Sequence, residues 1–270
     1  MKNSKYIMLH YLHNSKFKKI SGSISSKAFE TTVKKNLNKN YIYTFDDSLK
    51  SQYYLAKPIL EKYNLKGIFF CNTFQFEKKF NYHELSKFFI NIYYKKKVLF
   101  YKDFFNLVKK NYINEKEIRK QKKIFSYYND NEIKLRIIRS KNLSFYNSIL
   151  KKLFYIKKFS FKKYQKKIYM TKNEILKLST KHFIGLHTHS HYFNFDKLKE
   201  DIQRKEIIKN KNILEKLIKK KIIHFSFPIG KYNSTSLKLL KKYNIKQAFK
   251  NNKTQSKNPL LIPRTNINEL

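Results

Sequence analysis

Apolar residues along the chain fall into two patterns. Short runs such as "YIMLHYL" (6–12), "YIYTF" (41–45), "KGIFFCN" (66–72), "HFIGLHT" (182–188), "IIHFSF" (222–227) and "IKQAFK" (245–250) have the length and the aromatic or β-branched content of buried strands. Between them, apolar residues recur every three or four positions with lysines on the opposite face. This predicts helices over "SQYYLAKPILEKYN" (51–64), "TKNEILKLST" (171–180), "DKLKEDIQRKEIIKNKNILEKLIKKK" (196–221) and "STSLKLLKKYN" (234–244). Thr171 followed three residues later by Glu174 is a capping-box pattern. Strands alternating with helices predict an α/β fold with parallel strands, open or closed into a barrel.

The middle, about residues 80–165, breaks the alternation. It contains no Gly or Pro and reads as aromatic- and lysine-rich helices, among them "HELSKFFINIYY" (83–94) and the stretch from Tyr101 to Tyr128. A helical insertion within one domain spanning 1–270 accounts for it. The interleaved Lys, Tyr and Phe have the chemistry to stack bases or sugars. At helical spacing they are better read as a core with a solvated face.

Charge changes the picture less than its size suggests. The chain carries 61 Lys+Arg against 18 Asp+Glu, a formal net charge of +43. Almost all of this is Lys, whereas Arg is the residue suited to bidentate phosphate and base contacts. Lys, Asn, Ile, Tyr and Phe are the residues an AT-rich genome favours, so no specific nucleic-acid partner is expected. Weak attraction to anionic membranes or acidic glycans follows from the charge. The single cysteine, Cys71, excludes an intramolecular disulfide and fits a reducing compartment, closing a buried strand as an inert thiol. The N-terminal stretch lacks an uninterrupted apolar segment and no run approaches 18 apolar residues. A cytoplasmic protein is expected.

Among so many lysines, "YIYTFDDSLK" places two acids side by side, Asp46 and Asp47, at the end of a strand. Adjacent carboxylates raise each other's pKa unless a cation compensates them. A second cluster, "GLHTHSH", puts His187, His189 and His191 at another strand end. Helical spacing would bring His187 and His191 onto one face, and strand alternation would bring all three. Two imidazoles and a carboxylate form a recurrent divalent-metal site. A third strand ends in "FSFPIGKYN" (225–233), where Pro228 and Gly230 let the backbone approach a ligand closely. All three lie at C-terminal strand ends, where parallel α/β folds gather their active sites.

"TFDD", "HTHSH" and "FSFPIGKYN", in that order, resemble the motifs of the polysaccharide deacetylases, the NodB-homology group or carbohydrate esterase family four. The resemblance covers roughly residues 5–75 and 165–268, with "IMLHYLHN" similar to the family's first strand and "LLIPRTNI" to its last. It implies a distorted seven-stranded (β/α) barrel and metal-dependent removal of N-acetyl groups from the amino sugars of a polysaccharide, oligosaccharide or glycan precursor. It makes Asp46 the general base and Asp47, His187 and His191 the ligands of a divalent metal, zinc first, with Co, Mn or Ni not separated by ligand type. Thr188 would help hold the histidine loop, and Pro228, Gly230 and Tyr232 would line the sugar groove. The chain departs from the family at three positions. Ser48 replaces a usual Gly, at about 1–2 kcal/mol if that position is left-handed. Ser226 replaces an Arg that braces the base, which gives Arg264 that part. No late His supplies the general acid, leaving it unassigned between His189 and His224, with a solvent-facing His189 as the plain alternative. Two rivals stay open: a family member that binds glycans without turnover, and a basic nucleic-acid binder.

Overall fold

The computed structural model describes residues 4–20, 22–77, 81–109, 111–124, 129–252 and 254–270. Its contacts divide the chain into two compact units, residues 1–80 with 162–270, and residues 81–161.

The first unit opens with β1 (Lys5–Leu9) and a two-stranded parallel ladder of β2 (Leu12–His13) and β3 (Ile24–Ser25). The run expected as one strand over 6–12 is therefore broken after Leu9. Helix α1 (Ser26–Lys35), which the apolar pattern did not predict, is capped by the Ser25 hydroxyl and buries Phe29 and Val33, four residues apart. β4 (Tyr41–Phe45) leads through one π-helical turn (Gln52–Ala56) into α2 (Lys57–Lys62), which carries Pro58 in its first turn, and then β5 (Ile68–Cys71).

The second unit holds α3 (Tyr82–Tyr93), α4 (Lys97–Phe105), α5 (Glu115–Ile124), α6 (Asp130–Lys141) and α7 (Leu143–Ile156). Phe89, Phe100, Phe104 and Phe154 are fully buried within it. The single helix expected over 101–128 is two: Asn111 is left-handed at φ 65, and Asn114 accepts from the Glu117 N–H at 2.9 Å to cap α5. Lys110 and residues 125–128 of that stretch lie outside the described residues.

After α8 (Phe161–Ile168), Thr171 and Glu174 form the expected capping box at the start of α9 (Lys172–Leu178). β6 (Phe183–Leu186), α10 (Glu200–Ile218), β7 (His224–Ser226), α11 (Ser234–Lys242), β8 (Gln247–Phe249) and β9 (Arg264–Asn266) complete the chain. α10 starts four residues later than its apolar pattern suggests, because Phe195–Lys197 forms a separate 3-10 turn.

Seven strands form one sheet in the order β8-β7-β6-β5-β4-β1-β9, every pair parallel. Ile262, just before β9, bridges Phe249 of β8 in parallel, so the sheet curls into a nearly closed, distorted barrel. Alternation along β5 shows the two sides. Ile68 and Phe70 cluster with Phe249 and no helix residue, filling the interior. Phe69 and Cys71 instead join the large core that α1, α9, α10 and α11 press onto the outside. Gly185 on β6 makes room for the interior ring: a Cβ there would lie 2.3 Å from Phe70 Cδ1. Cys71 is fully buried, and burial pushes its thiol up to about 12, as expected of an inert side chain. Among the described residues no helix is long and apolar enough to cross a membrane.

Candidate active site

Because every barrel strand runs the same way, residues just past the strand ends collect on one edge. β4 delivers Asp46 and Asp47 there, both almost fully buried. The chain then turns sharply, with Asp47 at φ 77 and Ser48 at φ 54. The position where Ser replaces the family's Gly is thus left-handed. The Ser48 hydroxyl compensates by reaching the Asn72 carbonyl and side-chain oxygens, each at 3.2 Å.

The two carboxylates have different partners. Arg264 grips Asp46 with both ends of its guanidinium, Nη1 to Oδ1 at 2.8 Å and Nη2 to Oδ2 at 2.7 Å. Nη2 also donates to Ser226 Oγ at 2.9 Å and to Asn251 Oδ1 at 2.7 Å, and the guanidinium lies 5.5 Å from the Phe70 ring centroid. Ser226 itself donates to Asp46 Oδ2 at 3.3 Å. Burial alone would raise the Asp46 carboxyl, but the Arg264 charge, aided by His187 and His10, brings it down to about 2.

Asp47 Oδ1 lies 3.4 Å from His187 Nε2 and 3.3 Å from His191 Nε2. The ligand atoms of the three residues all fall within 4.8 Å of one another. Burial works against the Asp47 charge too, and the surrounding imidazoles outweigh it, holding the carboxyl well below its ordinary range. The Nδ1–H of His187 donates to the Ser226 carbonyl at 2.8 Å, which turns Nε2 toward Asp47 Oδ1; burial works against a charge on this ring, but the Asp46 and Asp47 carboxylates outweigh it and raise its pKa. Asp47 Oδ1 is buried with no hydrogen-bond partner among the described residues. An imidazole nitrogen set against a buried carboxylate oxygen calls for a positive charge between them, a proton or a metal cation. Two imidazole nitrogens and one carboxylate oxygen are a donor set that suits a borderline divalent cation. The residues therefore fit the metal that the family resemblance implies.

The remaining expected residues separate. His189 is 1% exposed and therefore does not face solvent. Its Nδ1 pairs with Thr73 Oγ1 at 2.8 Å and its Nε2 with Glu77 Oε2 at 3.2 Å, so it belongs to the packing behind the loop. His224 opens β7, at the opposite end of the strands from the aspartates, with its ring against Phe183 and its pKa lowered by burial. Neither supplies an acid at this edge. Pro228 is buried and forms the turn after β7, while Gly230 at φ 69 and Tyr232 are partly exposed. The close approach that Gly230 permits is to Asn251, which a Cβ would meet at 3.0 Å. Ile229, between them, is left-handed at φ 56, an uncommon conformation for a β-branched residue.

One residue was missed. His10 follows β1, with Nε2 3.9 Å from both Asp46 Oδ2 and Asp47 Oδ2 and its side chain 31% exposed. Gln52 Nε2 ties its carbonyl (2.9 Å) to that of Asp46 (2.5 Å). The sequence signal was weak, because His10 lies inside the apolar run 6–12 and only the break of β1 after Leu9 puts it at a strand end.

The polysaccharide deacetylase family model matches residues 149–248, a span that includes both "HTHSH" and "FSFPIG". No curated protein matches the chain by sequence. Among solved structures, the Streptococcus pyogenes deacetylase PplD in complex with acetate is 14% identical, with a TM-score of 0.56 over 98% of this chain and 92% of that one. IcaB from Ammonifex degensii is 13% identical at TM-score 0.57, covering 98% and 92% of the two chains. A polysaccharide deacetylase from Bacillus cereus is 13% identical at TM-score 0.54, covering 98% of this chain and 64% of that one. At such identities these likenesses show the fold. The chain is thus similar to the polysaccharide deacetylases, in sequence over residues 149–248 and in fold over almost its whole length.

Proposed function

We propose that the protein is a metal-dependent carbohydrate deacetylase that hydrolyses N-acetyl groups of amino sugars in a polysaccharide, oligosaccharide or glycan precursor. The observation that carries this reading is the buried Asp47 oxygen set against two imidazole nitrogens, beside a second carboxylate held by Arg264. Asp47, His187 and His191 would hold the cation, zinc by donor preference with Co, Mn and Ni also suited. A divalent cation bound there acidifies water, from a pKa near 16 to about 7 in the best zinc cases, and polarises the acetyl carbonyl.

The chain's own groups do the rest. Asp46, at about 2, is ionised throughout the physiological range and accepts the proton of the attacking water. Arg264 and Ser226 fix the direction of its oxygens. His10, partly exposed and facing both carboxylates, is placed to give a proton to the departing amine, so that the C–N bond breaks to acetate and a free amino sugar. Gly230 and Tyr232 border the groove for the sugar. Residues 1–270 form one catalytic domain on this reading, with the 80–165 segment inserted into it. The single buried Cys71 supports a reducing, cytoplasmic setting.

The test compares Asp46→Asn with Asp47→Asn in a zinc-binding and acetate-release assay on N-acetylated oligosaccharides. The first should keep metal and lose turnover, and the second should lose both. Acetate release unchanged in both variants would sink the proposal.

A further inference from the structure

The loop bearing both candidate ligand histidines runs against its own backbone preference. Thr188 at φ 59 and His191 at φ 53 are both left-handed, a conformation that costs a non-glycine residue about 1–2 kcal/mol. Something must hold it. On one side, the Thr73 and Phe74 N–H groups donate to the His189 carbonyl at 3.3 and 2.9 Å, just past the end of β5. Within the loop, the His191 N–H donates to Thr188 Oγ1 at 3.2 Å.

On the other side stands one face of α10. Asn210, fully buried, accepts from the His187 N–H at 3.0 Å and donates to the Cys71 carbonyl at 3.0 Å. One turn earlier, Glu206 is 7% exposed. Its Oε2 accepts from the Ser190 N–H at 2.6 Å, its Oε1 accepts from the Ser190 hydroxyl at 2.8 Å, and its backbone carbonyl accepts from the His189 N–H at 3.2 Å. Burying a carboxylate is expensive, and a glutamine would offer only one acceptor oxygen to the two donors of Ser190. A Glu at this point therefore matches a need for two acceptor oxygens, one for the backbone donor and one for the side-chain donor of Ser190.

We infer that Glu206 is a positioning residue of the metal site: by clamping Ser190, it sets how His187 and His191 present their nitrogens to Asp47. The inference rests on the reading of Asp47, His187 and His191 as metal ligands. It assigns Glu206 to the affinity and geometry of that site, beyond the stability of the barrel. Partners that orient ligands in this way typically govern metal affinity by about 10- to 100-fold.

Cobalt(II) titrated into the metal-free full chain reports both quantities, through the dissociation constant and the visible ligand-field bands. Glu206→Gln should weaken cobalt binding about 10- to 100-fold and change the band pattern. Ser190→Ala should weaken it several-fold, and the double variant should be no worse than Glu206→Gln, because both remove the same contact. Wild-type affinity and bands in Glu206→Gln overturn the inference while leaving the ligand assignment intact. Should Glu206→Gln fail to fold, Ser190→Ala decides, and an unchanged cobalt constant and spectrum overturn it. If the wild type binds no cobalt, or Asp47→Asn binds it equally well, the ligand assignment falls and this inference with it.

Discussion

Replacing Arg264 by Met isolates the interaction on which Asp46 depends. The guanidinium is 2% exposed and makes two charge-assisted bonds to Asp46, at 2.8 and 2.7 Å. Without it, the 1%-exposed carboxylate keeps the Ser226 hydroxyl at 3.3 Å and the weaker support of His187 and of His10 at 3.9 Å. Stranding one partner of a buried pair costs about 3–5 kcal/mol, which for a domain of this size lowers the melting temperature by roughly 10 °C. The cost should fall on the stranded charge, so adding Asp46→Asn to Arg264→Met should recover stability rather than lose more. Turnover should respond in a distinct way. With the Arg264 charge gone, burial dominates and the Asp46 carboxyl rises from about 2. A base that must be ionised then works only at higher pH, so the acidic limb of the pH–rate profile for acetate release moves upward. Arg264→Lys, which keeps the charge and loses the fork, should fall between. Urea denaturation measures the first quantity and the pH profile the second. A stability loss below about 1 kcal/mol, or a profile that overlays the wild type, would refute the reasoning.

Three further outcomes are expected. Gly185→Ala places a Cβ 2.3 Å from Phe70 Cδ1, and that ring is backed by Phe249 at 5.2 Å and Arg264 at 5.5 Å. It should cost about 1–3 kcal/mol and also lower turnover through Arg264; a neutral result in both measurements counts against the interior packing described. His182 accepts the Gly67 N–H on Nδ1 at 3.2 Å, and burial lowers its pKa to about 4. The unfolded chain protonates this histidine near 6.5, so its contribution is complete above that pH and is lost as pH falls toward 4, by up to about 3 kcal/mol. His182→Gln should flatten the stability–pH curve in that window, and an unchanged slope would exclude the residue as its source. Ser48→Gly relieves a left-handed strain of about 1–2 kcal/mol but forfeits the hydroxyl's contacts with Asn72, about 1 kcal/mol, and adds chain entropy of about 0.5–1 kcal/mol. The net change should stay within about 1 kcal/mol, and a gain clearly above about 1 kcal/mol would show that the Asn72 contacts contribute nothing.

Much of the barrel was legible because its strands are short apolar runs and its helices repeat every three to four residues. The Thr171–Glu174 box marked a helix start to the residue. α1 was not legible, since Phe29 and Val33 are its only buried side chains and its other positions are polar or small. The histidine cluster was misread in part for a backbone reason. Both strand and helix spacing assume regular dihedrals, yet β6 stops at Leu186 and two of the next five residues are left-handed. That turn sends His189 toward Thr73 and Glu77 while bringing His187 and His191 together. His10 escaped notice because "YIMLHYL" looks continuous, whereas the strand ends at Leu9 and exposes the next side chain at the same edge as Asp46.

The pairing of Asp46 with Asp47 looked like an electrostatic liability in the sequence, and the structure separates the two by the kind of charge each meets. A guanidinium is a permanent positive charge, so Asp46 keeps a compensating partner in Arg264. Asp47 meets only imidazoles, which carry charge when protonated and offer lone pairs to a metal when neutral. One carboxylate is thereby fixed as an anion without consuming a ligand position, and the other is free to share a cation. Ser226 links the halves: its hydroxyl contacts Asp46 and Arg264, while its carbonyl orients His187. Here a small Ser leaves space for a guanidinium arriving from β9, the last strand of the barrel. The charge partner of Asp46 therefore comes from the last strand, and Ser226 touches both members of the pair.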